Sequence, residues 1–164
     1  STGYDFNGPA AVRYPRGKGI GIPIDKGMRP LEIGKGLVRR DGNTIAIFAF
    51  GSMVKAALKA AKKLGATLVD MRFVKPLDEE LISELAANHQ LVVTVEESAI
   101  MGGAGSAVNE FLAQTSTPIQ TLNLGLPDKF LEHGKPSEML DEINLNCEGI
   151  IQAIKNKQNE CGLY

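Results

Sequence analysis

The chain has 164 residues, with 18 basic and 19 acidic side chains and a formal charge of −1 at pH 7. This length accommodates one ordinary domain with an added tail, but not two. The balanced charge gives no long-range electrostatic reason to expect nucleic acid or an anionic membrane as a partner. Hydrophobic residues make up 43% and charged residues 23% of the chain, which is typical of a soluble globular α/β protein.

No segment of the sequence is predicted to direct the chain into or across a membrane. The apolar runs are strand-sized and far shorter than the roughly 18 residues of a membrane helix. The start, STGYD, lacks the parts of a signal peptide and an initiator Met, so we expect Ser1 to be a cut end of a longer chain. The two cysteines, Cys147 and Cys161, lack metal-ligand spacing and predict reduced thiols in the cytoplasm rather than a metal site.

The first thirty residues differ in composition from the rest of the chain. Residues 8–17 (GPAAVRYPRG) predict a short apolar strand that ends in a Pro/Gly turn, and residues 18–30 are rich in Gly and Pro. A strand followed at once by a linker has no neighbour of its own to pair with. We therefore expect four segments: the last edge of a preceding domain over 1–17, a linker over 18–30, the main domain over 31–158 and a tail over 159–164.

The main domain opens with a predicted β-hairpin. Residues 36–40 and 44–50 are its two strands, and Asp41-Gly42 supplies a turn residue with positive φ. The second strand is apolar on both faces, as expected of a central strand that is covered on each side. Gly51-Ser52 then opens an amphipathic helix that ends near Leu64.

Strands and helices alternate through the remainder of the chain. Asp78 is the predicted N-cap of a helix whose first turn carries Glu79 and Glu80. The alternation predicts right-handed crossovers and a three-layer α/β fold, with a mainly parallel sheet and one antiparallel edge strand. The other predicted elements are strands over 66–71, 91–95 and 118–124, a helix after residues 101–106, and closing helices over 136–143 and 147–157.

Ligands of open α/β sheets bind at the carboxyl ends of the strands, and a Gly-rich loop at residues 102–105 lies at one such end. It lacks the G-x-G-x-x-G spacing of a dinucleotide-binding turn and follows two carboxylates that would oppose a phosphate. We expect its small residues to allow close packing against the sheet or another subunit. Glu96 and Glu97 point to opposite sides of their strand, so we expect one of them to accept hydrogen bonds from the loop amides.

The remaining polar residues of the main domain are predicted to be structural. His89 follows a helix end, where it compensates the helix dipole, and His133 lies in a surface turn. Neither histidine has a nucleophile at motif spacing. Asp70 and Arg72 are candidates for an ion pair at a strand end. The main domain therefore offers no assigned catalytic residue, cofactor-binding residue or metal ligand.

Two arginines outside the main domain are the candidates for substrate binding. Arg13 and Arg16 flank Tyr14-Pro15 at the end of the first apolar strand. A guanidinium is suited to forked recognition of a phosphate group. The residues alone are equally consistent with two ordinary surface arginines.

Four segments carry a resemblance to a known enzyme family. Residues 8–17 resemble the end of the pyrimidine-binding domain of the 1-deoxy-D-xylulose-5-phosphate synthases. Residues 70–78 (DMRFVKPLD), 95–106 (VEESAIMGGAGS) and 122–128 (LNLGLPD) resemble the C-terminal domain of the same enzymes. Position 98 is Ser where the family usually has Asn. The resemblance extends from about residue 8 to residue 155.

The resemblance implies a transferase of the transketolase group that depends on thiamine diphosphate and Mg²⁺ and acts as a homodimer. Such an enzyme condenses pyruvate with glyceraldehyde 3-phosphate, releases carbon dioxide and supplies precursors of isoprenoids, thiamine and pyridoxal. The cofactor stabilises a carbanion, and protein groups position the substrates. By this resemblance Arg16 would hold the sugar phosphate, and Arg13 is the second choice.

The resemblance also implies that the reaction centre lies elsewhere. The family's magnesium–diphosphate motif, Gly-Asp-Gly followed by Asn-Asn, does not occur in the 164 residues, and the glutamate that activates the cofactor belongs to the upstream part. We therefore expect this chain alone to bind no cofactor, to be inactive and to serve as a scaffold or dimerisation domain. The alternatives are the C-terminal domain of a 2-oxoacid dehydrogenase E1 β subunit and a free-standing α/β binding module.

Overall fold

The computed structural model describes residues 1–12, 27 and 29–163, and it divides the chain into the units Ser1–Ile33 and Gly34–Tyr164. In the first unit, helix α1 spans Thr2–Asp5 and residues 8–12 have no regular secondary structure. The remainder of the predicted first strand, residues 13–17, lies outside the described residues. The assignment of residues 1–17 and 18–30 to a preceding domain and a linker stays a prediction.

The second unit contains the alternating strands and helices that the sequence predicts. Among the described residues, no helix is long and apolar enough to cross a membrane. The elements are β1 (Leu37–Arg40), β2 (Ile45–Ala49), a 3-10 turn (Gly51–Met53), α2 (Val54–Leu64), β3 (Thr67–Asp70), α3 (Glu79–Asn88), β4 (Leu91–Ala99), α4 (Ala104–Gln114), β5 (Gln120–Leu126), α5 (Pro136–Glu142) and α6 (Cys147–Cys161).

The five strands of the described residues form one sheet in the order β1-β3-β2-β4-β5, in which only the β1–β3 pair is antiparallel. Helices α2 and α6 cover one face, where Ala57, Ala61 and Ile150 pack against alternate residues of β2. Helices α3 and α4 cover the other face, where Ile82 and Val108 pack against the remaining β2 residues. The predicted three-layer fold, with its antiparallel edge strand, is confirmed.

The predicted hairpin between β1 and β2 is wrong. Leu37 and Val38 of β1 pair with Asp70 and Val69 of β3, whereas β2 lies on the far side of β3. The parallel partners β3 and β4 occupy both edges of the apolar strand β2, so no edge remains for β1. The apolar pattern of β2 therefore predicted its central position correctly, but the short connection between β1 and β2 led to the wrong pairing partner for β1.

Gly42 does not have the positive φ predicted for the Asp41-Gly42 turn, so that prediction is also wrong. A glycine is required there because the backbone of residues 65–67 passes close to it. A Cβ atom at Gly42 would collide with the backbone of residues 65–67. The Gly42 N–H donates to Thr67 Oγ1 at 2.9 Å, and Thr67 Oγ1 donates to the Gly42 carbonyl at 3.1 Å. Thr67 Oγ1 also lies 2.8 Å from His89 Nε2, so one hydroxyl joins β3, the β1–β2 loop and the end of α3.

Two helix ends follow local sequence signals. Asp78 caps α3, as predicted: its carboxylate accepts from Leu81 N–H at 3.4 Å and from Gly36 N–H at 2.9 Å, which also ties the helix to the start of β1. Lys35 contacts the same carboxylate. Its hydrogen bond to Glu80, and to a lesser extent its hydrogen bond to Asp78, raises the pKa of the Lys35 ammonium. Gly65 closes α2 in the left-handed conformation.

Helix α6 continues to Cys161, so the predicted tail begins inside the helix. Asn146 caps its start by accepting from Gly149 N–H at 2.9 Å. Lys63 of α2 pairs with Glu148 at 2.9 Å, and this hydrogen bond lowers the pKa of the Glu148 carboxyl. Burial raises the pKa of the Cys147 thiol, as expected of an unreactive cysteine packed in the core.

Candidate functional site

The structure leaves the two predicted substrate-binding residues untested. Arg13 and Arg16 lie outside the described residues. Their role as ligands of a sugar phosphate therefore stays a prediction. The described part of the chain instead brings together polar groups at the carboxyl ends of β2, β3 and β4.

The carboxylate of Glu96 organises this edge of the sheet. Glu96 is 2% exposed and accepts from the backbone N–H groups of Ala104 at 2.6 Å and Gly105 at 2.7 Å. Ser98 Oγ donates a third hydrogen bond to it. The N-cap residue of α4, Gly103, has no side chain, so Glu96 of β4, eight residues before Ala104, supplies the cap. The prediction that one of the two glutamates binds the loop amides is confirmed.

The glycines of the loop are required because α4 starts against the sheet. A Cβ atom at Gly103 would collide with the Ala99 carbonyl oxygen and the Glu96 carboxylate. A Cβ atom at Gly105 would collide with the side chains of Asn123 and Thr94. Close packing against the sheet, rather than phosphate binding, therefore explains the Gly-rich loop.

A chain of side-chain hydrogen bonds continues from this contact between the helix and the sheet. Asn109 Nδ2 of α4 donates to Asn123 Oδ1 of β5 at 2.7 Å, and Asn123 Nδ2 donates to Thr94 Oγ1 of β4 at 2.8 Å. Thr94 is 1% exposed, so these bonds lie beneath the helix. They fix the distance between α4 and the two strands more narrowly than apolar contacts alone would. Neither Asn109 nor Asn123 is predicted from the sequence to have this role, although Asn123 lies within the segment 122–128 that carries the family resemblance.

Glu97 and Ser52 form the exposed side of the same edge. Glu97 points away from Glu96, as the strand alternation predicts, and Ser52 Oγ donates to its carboxylate. Both glutamates line one open cleft, but their carboxylates have different partners: Glu96 binds the loop amides and Ser98, whereas Glu97 binds Ser52. Ser52 belongs to the 3-10 turn that follows β2, so this contact joins the ends of neighbouring strands.

Arg72 does not form the predicted ion pair with Asp70. Asp70 pairs with Arg39 of β1, with a distance of 2.7 Å between Asp70 Oδ2 and Arg39 Nη2. The antiparallel pairing places β1 beside Asp70, whereas Arg72 follows the strand end in the left-handed conformation, with φ 56°. That conformation costs a non-glycine residue roughly 1–2 kcal/mol.

Arg72 instead lines an open cleft of about 650 Å³. Among residues 1–12, 27 and 29–163, its guanidinium has neither a hydrogen-bond partner nor an ion-pair partner. The cleft is also lined by Gly51, Ser52, Glu97, Ser98 and Gly102.

The two histidines lie away from this cleft. His89 Nδ1 donates to the Leu85 carbonyl at 2.8 Å, so the ring occupies the end of α3, as predicted. His133 is exposed, as predicted, but it lies in an irregular segment between β5 and α5 rather than in a turn.

The described residues do not fit a magnesium–diphosphate group. The amides at the start of α4, which are the natural anion site of such a loop, already bind the Glu96 carboxylate. Within residues 1–12, 27 and 29–163, no group of three or more His, Cys, Asp or Glu side chains could hold a metal ion.

Comparison with known proteins assigns this fold and its loop to a family. The family model described as transketolase, C-terminal domain, matches residues 34–150. The chain therefore belongs to the transketolase C-terminal domain family. A solved structure described as a split-gene transketolase, inactive β4 tetramer, has 36% identity and a TM-score of 0.74, and the match covers 80% of this chain and 44% of that one.

Curated relatives with higher sequence identity than this solved structure share the name of one particular enzyme. The 1-deoxy-D-xylulose-5-phosphate synthase of Pseudomonas aeruginosa is 57% identical over 157 residues, which are 96% of this chain. The synthase of Pseudomonas syringae pv. syringae is 58% identical over the same length. The resemblance found in the sequence motifs is therefore confirmed. The chain spans about a quarter of the length of these curated relatives, since each match covers 25% of the relative.

Replacing Glu96 tests the cap. In Glu96→Gln, the amide NH₂ would face a helix N–H group, and we expect the free energy of unfolding to fall by about 1–3 kcal/mol. Glu97→Gln, at the exposed neighbouring position, should change it by no more than about 0.5 kcal/mol. Urea unfolding of both variants measures the difference. Equal losses would mean that Glu96 does not cap α4.

Replacing Gly105 tests the close approach of α4 to strands β4 and β5. Helix propensity alone predicts that Gly105→Ala stabilises α4 by about 1 kcal/mol. The collision with Asn123 and Thr94 predicts the opposite sign, a loss of about 1–3 kcal/mol. Gly134→Ala is the control, because a Cβ atom there meets only ordinary contacts. A stabilised Gly105→Ala variant in thermal unfolding would contradict the packing described above.

Proposed function

We propose that this chain is the C-terminal part of a 1-deoxy-D-xylulose-5-phosphate synthase. Such an enzyme uses thiamine diphosphate and Mg²⁺ to condense pyruvate with glyceraldehyde 3-phosphate, with loss of carbon dioxide. The identity of 57–58% to synthases over 96% of the chain carries the proposal. Relatives of that name favour it over the β subunit of a 2-oxoacid dehydrogenase.

Within that enzyme, this chain acts as a scaffold and dimerisation domain that is inactive by itself. Two observations support its inactivity. The Gly-Asp-Gly and Asn-Asn motif is missing from the sequence, and the Gly-rich turn that could have bound a diphosphate is filled by Glu96. The upstream part of the enzyme would hold thiamine diphosphate and Mg²⁺, and the complete enzyme would be a cytoplasmic homodimer.

Arg16 is the residue of this chain that we assign to the substrate. Its guanidinium would hold the phosphate of glyceraldehyde 3-phosphate by a forked, charge-assisted hydrogen bond, with Arg13 as a second ligand. Pyruvate lacks a phosphate and would not need this contact. The assignment therefore predicts an effect that differs between the two substrates.

Comparing the chain with its upstream extension tests the proposed reaction. The product of the extended reading frame, with thiamine diphosphate and Mg²⁺, should form 1-deoxy-D-xylulose 5-phosphate and carbon dioxide, detected by ¹³C NMR from labelled pyruvate. The 164-residue chain should form neither, and calorimetric titration should give no cofactor binding. An extended enzyme without this activity would refute the reaction. Decarboxylation of pyruvate by the short chain would refute the scaffold role.

Substitution of Arg16 in the extended enzyme tests the phosphate contact. Arg16→Gln should raise the KM for glyceraldehyde 3-phosphate about tenfold or more, because a hydrogen bond between charged groups is lost. The KM for pyruvate should stay unchanged, and Arg16→Lys should restore part of the loss. Arg13→Gln should have a smaller effect of the same kind. Equal increases for both substrates would exclude the assignment.

A further inference from the structure

The order of the strands defines a crevice between β2 and β4. The chain leaves β2 towards β3 through α2, on one face of the sheet, and leaves β4 towards β5 through α4, on the opposite face. The loops after these two neighbouring strands therefore diverge. In open α/β sheets, ligands bind at this topological switch point, outside the carboxyl ends of the strands.

The cleft lined by Arg72 occupies that crevice. Gly51 and Ser52 follow β2, and Glu97 and Ser98 belong to the end of β4. The volume of about 650 Å³ lies within the range of small-molecule sites. At Gly51 and Gly102 a Cβ atom would meet nothing within 4 Å, so the backbone at the rim is open to a ligand.

Glu96 and Arg72, two charged residues of the cleft, differ in whether their side chains already have hydrogen-bond partners. Glu96 binds two backbone amides and Ser98, so it is committed to the start of α4. Arg72 is half-buried and has no partner among the described residues, and its backbone keeps an unfavourable left-handed conformation. An unpaired, partly desolvated guanidinium lining a cleft is suited to an oxyanion.

The acceptor groups restrict the ligand further. Glu97 is exposed and has Ser52 as its contact, so its carboxylate can accept hydrogen bonds from hydroxyl groups of a ligand. The same negative charge disfavours a polyanion such as a diphosphate. A ligand with one oxyanion and neighbouring hydroxyls satisfies both Arg72 and Glu97.

We propose that the cleft between β2 and β4 binds a small hydroxylated oxyanion, namely a carboxylated or phosphorylated polyol. Arg72 holds the oxyanion, and Ser52 and Glu97 hold the hydroxyl groups. The proposal goes beyond the proposed function, and it uses none of the residues of the Arg13–Arg16 segment. Its test uses the 164-residue chain and does not depend on synthase activity.

The test is a titration of the ¹⁵N-labelled chain with glycerol 3-phosphate and with glycerate, followed by ¹H–¹⁵N NMR. We expect saturable shifts at Gly51, Ser52, Arg72 and Glu97 with at least one probe, and the stronger probe identifies the oxyanion as phosphate or carboxylate. Inorganic phosphate and glycerol should each bind more weakly than glycerol 3-phosphate. The proposal is overturned if neither probe binds, if the shifts lie outside the cleft, or if inorganic phosphate binds equally well.

Arg72→Gly separates ligand binding from a structural role. Glycine adopts the left-handed conformation readily, so this variant removes the guanidinium without adding backbone strain. Its affinity for the probe should fall about tenfold or more, while its thermal midpoint should not fall. Lys62→Gln, which removes the same charge from the exposed face of α2, should bind as the parent does.

Two further results would contradict the proposal. Unchanged affinity in Arg72→Gly would show that the guanidinium is not a ligand. Equal losses in Arg72→Gly and Lys62→Gln would show a response to net charge alone. Should Arg72→Gly fail to fold, Glu97→Gln gives the decision. The preference for glycerol 3-phosphate over inorganic phosphate should shrink, because the lost charge affects both phosphates and the lost hydroxyl contact affects only one. An unchanged ratio of the two affinities overturns the proposal.

Discussion

The carboxylate of Glu96 is the contact on which the carboxyl edge of the sheet depends. A buried charge is costly unless it accepts hydrogen bonds. Glu96 accepts three, and two of the donors are N–H groups at the start of α4 that have no partner within the helix. The strand thereby supplies what the glycine N-cap of the helix lacks. With the helix start held against β4, the glycines at positions 103 and 105 become necessary, and Asn109 comes within reach of Asn123.

The same contact explains why a motif that superficially resembles an anion-binding turn does not act as one. A helix N-terminus attracts negative charge, and here the charge comes from within the chain. The scaffold role proposed for this domain agrees with that arrangement, because a turn used for packing is not available to a cofactor. The open cleft lies beside this turn and uses other groups, namely Arg72, Ser52 and Glu97.

The sequence predicted most of the fold, because the relevant signals were local. The apolar pattern of residues 45–50 located the central strand, and Asp78 and Gly65 marked helix ends that the structure reproduces. The partner of β1 could not be predicted in this way. Pairing with β3 depends on which edges the parallel strands occupy, and a short Asp-Gly connection suggested a hairpin instead.

The candidate site was predictable only in part, for a similar reason. The alternation of side chains along β4 separated Glu96 from Glu97, and the expectation that one of them binds the loop amides follows from that alternation. The free guanidinium of Arg72 could not be foreseen. Its expected partner, Asp70, pairs with Arg39 of β1, and that contact depends on the β1–β3 pairing, which the sequence does not indicate.

The hydroxyl of Thr67 lies at the opposite, amino-terminal edge of the sheet, where it connects several elements. There a single group contacts Gly42 and His89, so three separate elements are locked by one small polar cluster. Mutations at that amino-terminal edge would disturb several connections at once, whereas exposed residues such as Ser52 and Glu97 can change with little effect on folding. At the carboxyl edge, substitution of these exposed residues is therefore compatible with the fold as long as Glu96, Gly103 and Gly105 are retained.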